Sequence, residues 1–254
     1  MGVLNVTPDS FFDGGRYLDA PVAVARGREL VAQGADLVDV GGESTRPGAA
    51  PVAADEELAR VIPVVETLAA EVRVSVDTSK PEVARAAVAA GASLINDVSA
   101  TLAPIAAECG VGIVLMHMAG TPRTMQDHPH YDDVVGEVEA FLLARAASAH
   151  AAGVAEVYID PGIGFGKTVA HNLALLAATR RLASHGEPVL VGTSRKSFLG
   201  ALISPPGAPP AGIDARFEGS LATATFAMAE GASIIRVHDV RACAQAAALT
   251  GEAA

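Results

Sequence analysis

Polar residues stand where short apolar runs of this chain stop: Asn5, Asp77, Asn96, Asp97, His117, Asp160, Ser194, Lys196, Arg236 and His238. The runs read GVLN, VDVGGE, VSVD, LIND, VLMH, VYID, VLVGTSRK and IIRVH. Asp77 follows Val74-Ser75-Val76 and Asp160 follows Val157-Tyr158-Ile159, so register should bury both. A buried carboxylate is costly unless it is paired or accepts hydrogen bonds. The two acids suit a ring system carrying N–H and amino donors. Asn96 can donate and accept, and suits the same ligand. Arg46, Lys196, Arg236 and His238 add positive charge at the same end of the molecule. With Asn5 beside them they fit a phosphate or pyrophosphate group.

Each of these has a plainer reading. A polar residue after a strand is often a helix cap or turn former, and His238 alone could be a satisfied structural histidine. Polar ends recurring on nearly every strand are harder to explain as caps. DPGIGFGKT has the wrong spacing for a GxxxxGKT phosphate loop, and no GxGxxG stands in dinucleotide-binding form. Gly162, Gly164 and Gly166 are expected to let the backbone turn tightly beside a ligand. HMAGTPRTMQDHPHYDD is rich in His and Asp but has no zinc-ligand spacing. The loops TPDSFFDGG and GGESTRPGAAP could order over a substrate and exclude water. Phe11 beside Phe12 in a polar loop is not ordinary turn chemistry.

The elements that must position these groups follow from the spacing. Strands are expected over residues 2–6, 37–40, 72–76, 94–96, 113–116, 157–159, 189–191 and 234–237. Helices are expected over 21–33, 55–70, 102–108, 131–152, 169–184 and 240–249, and one more begins where Ser79 and Glu82 read as a capping box. A helix ends at glycine and a strand follows in QGADLVDV, AGASLIND, CGVGIVLM, AGVAEVYI, HGEPVLV and EGASIIRV. Repeated joints of this kind demand parallel strands with right-handed crossovers. Eight units favour closure into a single (β/α)8 TIM barrel, one domain over residues 1–254, with its site at the C-terminal strand ends. SPPGAPPAGID reads as a surface insertion.

Composition agrees. With 254 residues and 50% hydrophobic content, the chain can bury one large core. Trp is absent and aromatics are 4%, so Val, Leu, Ile and Ala must build it. A net charge of -11 argues against nucleic acid, which demands excess positive charge. Cys109 and Cys243 lack CxxC partners and read as buried thiols of a reducing compartment. No long uncharged apolar run suggests a membrane span. MGVLNV passes directly into acidic sequence, so the cytoplasm is the expected location.

The pieces MGVLNVTPDSFFDGG, GGESTRPGA, VSVDTSK, INDVS, LMHMAGTPRTMQ, DPGIGFGKT, LVGTSRKSFLG and RVHDV run in order along the chain. Together they resemble the dihydropteroate synthase family, pterin-binding enzymes of folate biosynthesis that sulfonamides inhibit. The resemblance implies a (β/α)8 barrel, usually dimeric. It implies a Mg2+-assisted transferase joining 4-aminobenzoate to 6-hydroxymethyl-7,8-dihydropterin diphosphate with release of diphosphate. By that resemblance Asp77, Lys196, Arg236 and Asn5 would be catalytic, with Asn5 contacting the magnesium. Asp77, Asn96 and Asp160 would bind the pterin, Lys196 would lie near its carbonyl, and Met116 and Phe165 would line the slot. Arg236 would lie against the ring and, with His238, hold the diphosphate. Phe11, Thr45, Arg46 and Pro47 would close around 4-aminobenzoate, and Ser197 would approach its carboxylate.

Two departures from the family pattern stand out. Ala100-Thr101 replaces the usual Gly-Gly after INDVS, and Phe12 replaces a serine. A corrinoid-linked methyltransferase would share the pterin acids, but the SRK and RVH motifs argue for a substrate with a diphosphate. A pterin-binding paralogue without turnover is the non-enzymatic alternative; intact Asn5, Arg46 and Lys196 count against it.

Overall fold

The computed structural model describes residues 1–7, 20–44, 49–121 and 123–250. Among them, eight strands alternate with helices: β1 (Gly2–Asn5), β2 (Leu37–Gly41), β3 (Arg73–Asp77), β4 (Leu94–Asp97), β5 (Gly112–Met116), β6 (Val157–Asp160), β7 (Leu190–Val191) and β8 (Ile234–Ile235). The helices are α1 (Ala20–Ala32), α2 (Ala54–Leu68), α3 (Pro81–Ala89), α4 (Ala103–Cys109), α5 (Val134–Ala151), α6 (Val169–Ala177), α7 (Thr179–Ala183), α8 (Ser197–Ile203), α9 (Phe217–Ala229) and α10 (Val240–Thr250).

β1 to β6 form one parallel sheet in chain order, and β7 pairs with β8. Parallel bridges Ile159↔Val189 and Gly2↔Val237 join the two sheets at both seams, closing the (β/α)8 barrel. At the second seam Val3 N donates to Val237 O and Val237 N to Met1 O, both at 3.0 Å.

The glycine joints are built as the repeats suggest. Gly34, Gly91, Gly110, Gly153, Gly186 and Gly231 all have φ between 68° and 111°, where a Cβ would be strained. After five of them the next residue's N–H closes the helix end, as Ala35 N does on Leu30 O at 3.0 Å and Ala92 N on Ala87 O at 2.9 Å.

Two apolar layers hold the barrel. Outward strand residues such as Val38, Val76, Ile95, Ile113 and Ile159 pack against Leu30, Val61, Leu68, Leu142 and Leu175 of the helices. Inside, Met1, Leu37, Leu94, Val114 and Leu190 form a separate plug with Tyr158 and Ile234. Each buried Val or Leu contributes about 1.5–3 kcal/mol. Side chains two residues apart share a strand face. The plug residues Leu37, Leu94, Val114, Tyr158 and Ile234 are therefore followed on the same face by Asp39, Asn96, Met116, Asp160 and Arg236.

Several element boundaries differ from expectation. The Ser79–Glu82 capping box does not form: Pro81 opens α3, Lys80 is its N-cap, and Thr78 Oγ1 accepts from Lys80 N at 3.2 Å. α5 starts at Val134 rather than residue 131, because Asp133 caps it from outside and accepts from Gly136 N at 3.1 Å. The expected helix 169–184 divides into α6 and α7 where buried Thr179 Oγ1 donates to Leu176 O at 2.7 Å. The Pro/Gly-rich stretch links α8 to α9, two helices whose small and apolar residues give no clear periodic stripe. No described helix is long and apolar enough to cross a membrane.

Candidate active site

Strand register lines up Asn5, Gly41, Asp77 and Asn96 as neighbours in one row across β1 to β4. Met116 and Asp160 pair in the same way across β5 and β6. A Cβ at Gly41 would lie 3.7 Å from both Asn5 Oδ1 and Asp77 Oδ2, so the glycine keeps the space between them open.

Arg236, just past β8, reaches this row. Its Nη2 donates to Asp77 Oδ2 at 2.7 Å and its Nε to Asp39 Oδ2 at 2.6 Å. Asn96 Nδ2 donates to the same Asp39 oxygen at 3.0 Å. Asp39 and Asp77 are both buried, and their Oδ1 atoms have no hydrogen-bond partner among the described residues. Burial pushes the Asp77 carboxyl up to about 7; Arg236 opposes the rise, and Asp39 and Glu57 reinforce it. Two buried acceptor atoms are thus left without donors among the described residues, a cost that N–H groups of a ligand would offset.

Asp39 lies outside the strand-end pattern: it is a lone charge inside the run LVDV, two residues before the strand end. Only the fold makes it the anchor of Arg236.

Lys196 and Asp160 form the opposite wall. Asp160 Oδ1 accepts from Gly162 N at 2.7 Å, and burial raises its pKa. Lys196 Nζ donates to Ile163 O and lies 4.7 Å from the centroid of the half-buried Phe165 ring. Burial lowers the Lys196 pKa to about 8, with Asp160 opposing the fall and Arg236 adding to it. The glycines of DPGIGFGKT do turn tightly: Gly162, Gly164 and Gly166 all have positive φ.

Behind Lys196 the loop is zipped to the segment after β8. Ser194 Oγ accepts from His238 N at 3.2 Å and lies 3.0 Å from His238 Nδ1. Arg195, held at φ 59°, pairs with Asp239 at 2.6 Å and receives Arg216 Nη1 on its carbonyl at 3.0 Å. Lys196, Arg236 and His238 are thereby brought to one sector of the mouth. Ser197 opens α8 and is exposed, and Met116 is buried beside Asp160.

Two strand-end residues serve the scaffold. Asp97 accepts from Ser99 N, Ser99 Oγ, Thr101 N and Leu102 N at 2.5–2.9 Å, bracing the turn that contains Ala100. Ala100 has φ 52°, a conformation that favours glycine. His117 lies 3.0 Å from the Nζ of buried Lys167, and burial lowers its pKa to about 4.

Phe11, Thr45, Arg46 and Pro47 lie outside the described residues. The base of the second loop is described. Glu43 and Glu57 both accept from Lys80 Nζ, and Arg60 Nη1 donates to Gly42 O at 2.7 Å.

A closed barrel with carboxylates, an amide and an arginine on one wall, and a lysine with a further carboxylate on the other, defines an enzyme for a donor-rich heterocycle with an anionic tail. Residues 1–238 match the family model described as pterin binding enzyme. The chain is 48% identical to the dihydropteroate synthase of Escherichia coli over 97% of this chain and 88% of that protein. It superposes on the Xanthomonas albilineans dihydropteroate synthase with 4-aminobenzoic acid at TM-score 0.90 and 48% identity, over 100% of this chain and 92% of that one. The same organism's enzyme in complex with 7,8-dihydropteroate gives TM-score 0.86 and 45% identity, over 100% and 93%. The chain belongs to the dihydropteroate synthase family of pterin binding enzymes.

Proposed function

We propose that the chain catalyses the dihydropteroate synthase reaction: 6-hydroxymethyl-7,8-dihydropterin diphosphate and 4-aminobenzoate give 7,8-dihydropteroate and diphosphate. The carrying observation is the strand-end row Asn5–Gly41–Asp77–Asn96, with Arg236 bonded to buried Asp39 and Asp77 and one oxygen of each acid left without a partner among the described residues. Asp77, Asn96 and Asp160 accept from or donate to the pterin edge, and Lys196 meets its carbonyl. Met116 and Phe165 line the slot. Arg236 covers the ring and, with His238, holds the diphosphate. Phe11, Thr45, Arg46 and Pro47 close around 4-aminobenzoate, and Ser197 takes its carboxylate.

The bond between the pterin methylene and the diphosphate oxygen breaks first, and its electron pair leaves with the diphosphate. Arg236 and His238 offset that charge. Asp77 and Asp160 stabilise the cationic methylene. The amine nitrogen of 4-aminobenzoate then forms the new C–N bond, and the proton it loses passes to the departing diphosphate. The loops hold the two substrates in line. No side chain acts as a covalent nucleophile.

Asn5 fits a magnesium ion that arrives with the diphosphate. Its amide oxygen is a hard donor at the mouth, and Gly41 leaves room beside it. Mg2+ takes few protein ligands when phosphate oxygens and water supply the rest. When bound, it would neutralise charge on the leaving group.

The reading takes residues 1–254 as one domain of a cytoplasmic protein without a nucleic-acid partner, supported by the net charge of -11 and the free thiols Cys109 and Cys243. It also includes a homodimer. Leu202, Ile203, Ile213, Phe217 and Phe226 are exposed on α8, the following 3-10 turn and α9, elements that pack on one another. An apolar surface of this kind suits a second copy. A sedimentation mass of a single 25.7 kDa chain at micromolar concentration would rule that out.

The test of activity is direct. Purified protein is mixed with the pterin diphosphate, 4-aminobenzoate and Mg2+, and dihydropteroate is measured. Folded protein that binds pterin and forms no product would overturn the synthase reading.

A further inference from the structure

We propose that Lys167 is a positioning residue of this site. It holds the loop after β6 in the shape that offers Ile163 O and Phe165 to Lys196. The inference rests on the pterin reading given above.

The Lys167 amino group is buried and has three acceptors: Phe165 O at 3.0 Å, His117 Nδ1 at 3.0 Å and His117 O at 3.3 Å. His117 directly follows β5, so one side chain ties the β6 loop to the end of the neighbouring strand. Two more bonds run the same way. Gln126 Nε2 donates to Gly164 O at 2.9 Å and Tyr131 OH to Gly166 O at 3.0 Å.

The two loops lie too close for side chains between them. A Cβ at Gly162 would fall 1.8 Å from His117 O, and one at Gly166 would fall 2.8 Å from Ala119 O. Successive backbone carbonyls of the loop are thus each claimed by a named donor: Ile163 by Lys196, Gly164 by Gln126, Phe165 by Lys167 and Gly166 by Tyr131.

A buried ammonium is expensive, and an apolar side chain would fill the same space at lower cost. What the amino group adds is direction. Its bond to Phe165 O sets the peptide from which the Phe165 ring meets Lys196. Lys167 is therefore expected to act on pterin binding and to leave the 4-aminobenzoate side alone.

The test compares wild type with Lys167→Met. Three quantities are measured: pterin diphosphate affinity, KM for 4-aminobenzoate, and amide exchange over residues 162–168. The variant should bind the pterin about 10-fold more weakly, the scale of a lost buried hydrogen bond. KM for 4-aminobenzoate should change by less than about two-fold. Exchange over residues 162–168 should accelerate. Unchanged pterin affinity in a folded Lys167→Met protein overturns the proposal. If that variant does not fold, Lys167→Gln is measured instead: its amide has two N–H donors for three acceptors, and unchanged pterin affinity there overturns the proposal as well. Wild type that binds no pterin removes the reading of the whole site; wild type that binds, beside an unaffected variant, removes only the role of Lys167.

Discussion

Arg236 and Asp77 meet across the mouth of the barrel, Nη2 to Oδ2 at 2.7 Å, although 159 residues separate them in the chain. Asp39 takes Nε of the same guanidinium at 2.6 Å. One cation thus holds two buried acids and leaves one oxygen of each without a partner among the described residues. The arrangement is held ready for a ligand that brings donors of its own.

Removing the cation should therefore cost stability as well as binding. Arg236→Met leaves the two carboxylates facing each other, and breaking a buried pair in this way costs about 3–5 kcal/mol. Urea unfolding near neutral pH measures the loss. Adding Asp39→Asn removes one of the orphaned charges and should recover part of it. Equal stability of Arg236→Met and wild type would contradict the bridge.

Asp77 makes the ligand-free protein sensitive to pH in an unusual direction. Its folded pKa of about 7 lies above its ordinary value of 3.8. The folded state then binds more protons than the unfolded state between those values, so this group's stabilisation is full below pH 3.8 and is lost as pH rises through 7. Asp77→Asn should flatten that part of the profile. Donors of a bound pterin favour the carboxylate, so binding near pH 6 should release a proton. Calorimetry in two buffers of different ionisation enthalpy reads the release, and its persistence in Asp77→Asn would assign it elsewhere.

Lys196 presents the opposite balance. Its amino group is largely desolvated, and burial has already brought its pKa down to about 8. Lys196→Ala should nearly abolish dihydropteroate formation while the protein stays folded, which thermal unfolding checks. Steady-state rates equal to wild type would remove Lys196 from the catalytic set.

Asp97 should show a stability effect with little direct effect on chemistry. Asp97→Ala strands the N–H groups of Ser99, Thr101 and Leu102, each of which now donates to it. A loss of about 2–4 kcal/mol is expected from a buried acceptor with several donors. Ala100→Gly in that background relieves the left-handed Cβ and should return about 1 kcal/mol. Chemical denaturation of the single and double variants tests both steps.

Much of this site is legible in the residues. The period of two along each strand predicts that Leu94 and Asn96, or Tyr158 and Asp160, share a face, because alternation is a local property of extended chain. The glycine joints predict the helix ends for the same reason: a left-handed residue is needed there and Gly adopts it freely. The barrel, the strand ends and the ordered motifs follow from features that span only a few residues each.

Partners are another matter. Asn96 and Asp97 are adjacent acids or amides at one strand end, yet Asn96 joins Asp39 inside the barrel and Asp97 braces the α4 turn. Ser79 reads as a helix cap until Pro81 takes the first helical position and moves the start onward. Lys167 reads as half of a failed phosphate motif until the packing of two loops surrounds it with acceptors.

The sequence by itself determined where the strands stop and which of their residues share a face, since both depend on local periodicity and turn chemistry. Only the tertiary structure decided that Arg236 binds Asp39 and Asp77, and that Lys167 serves His117 and Phe165. Those pairings depend on closure of β8 against β1 and on the contact of neighbouring loops, which join residues with no local relation in the chain.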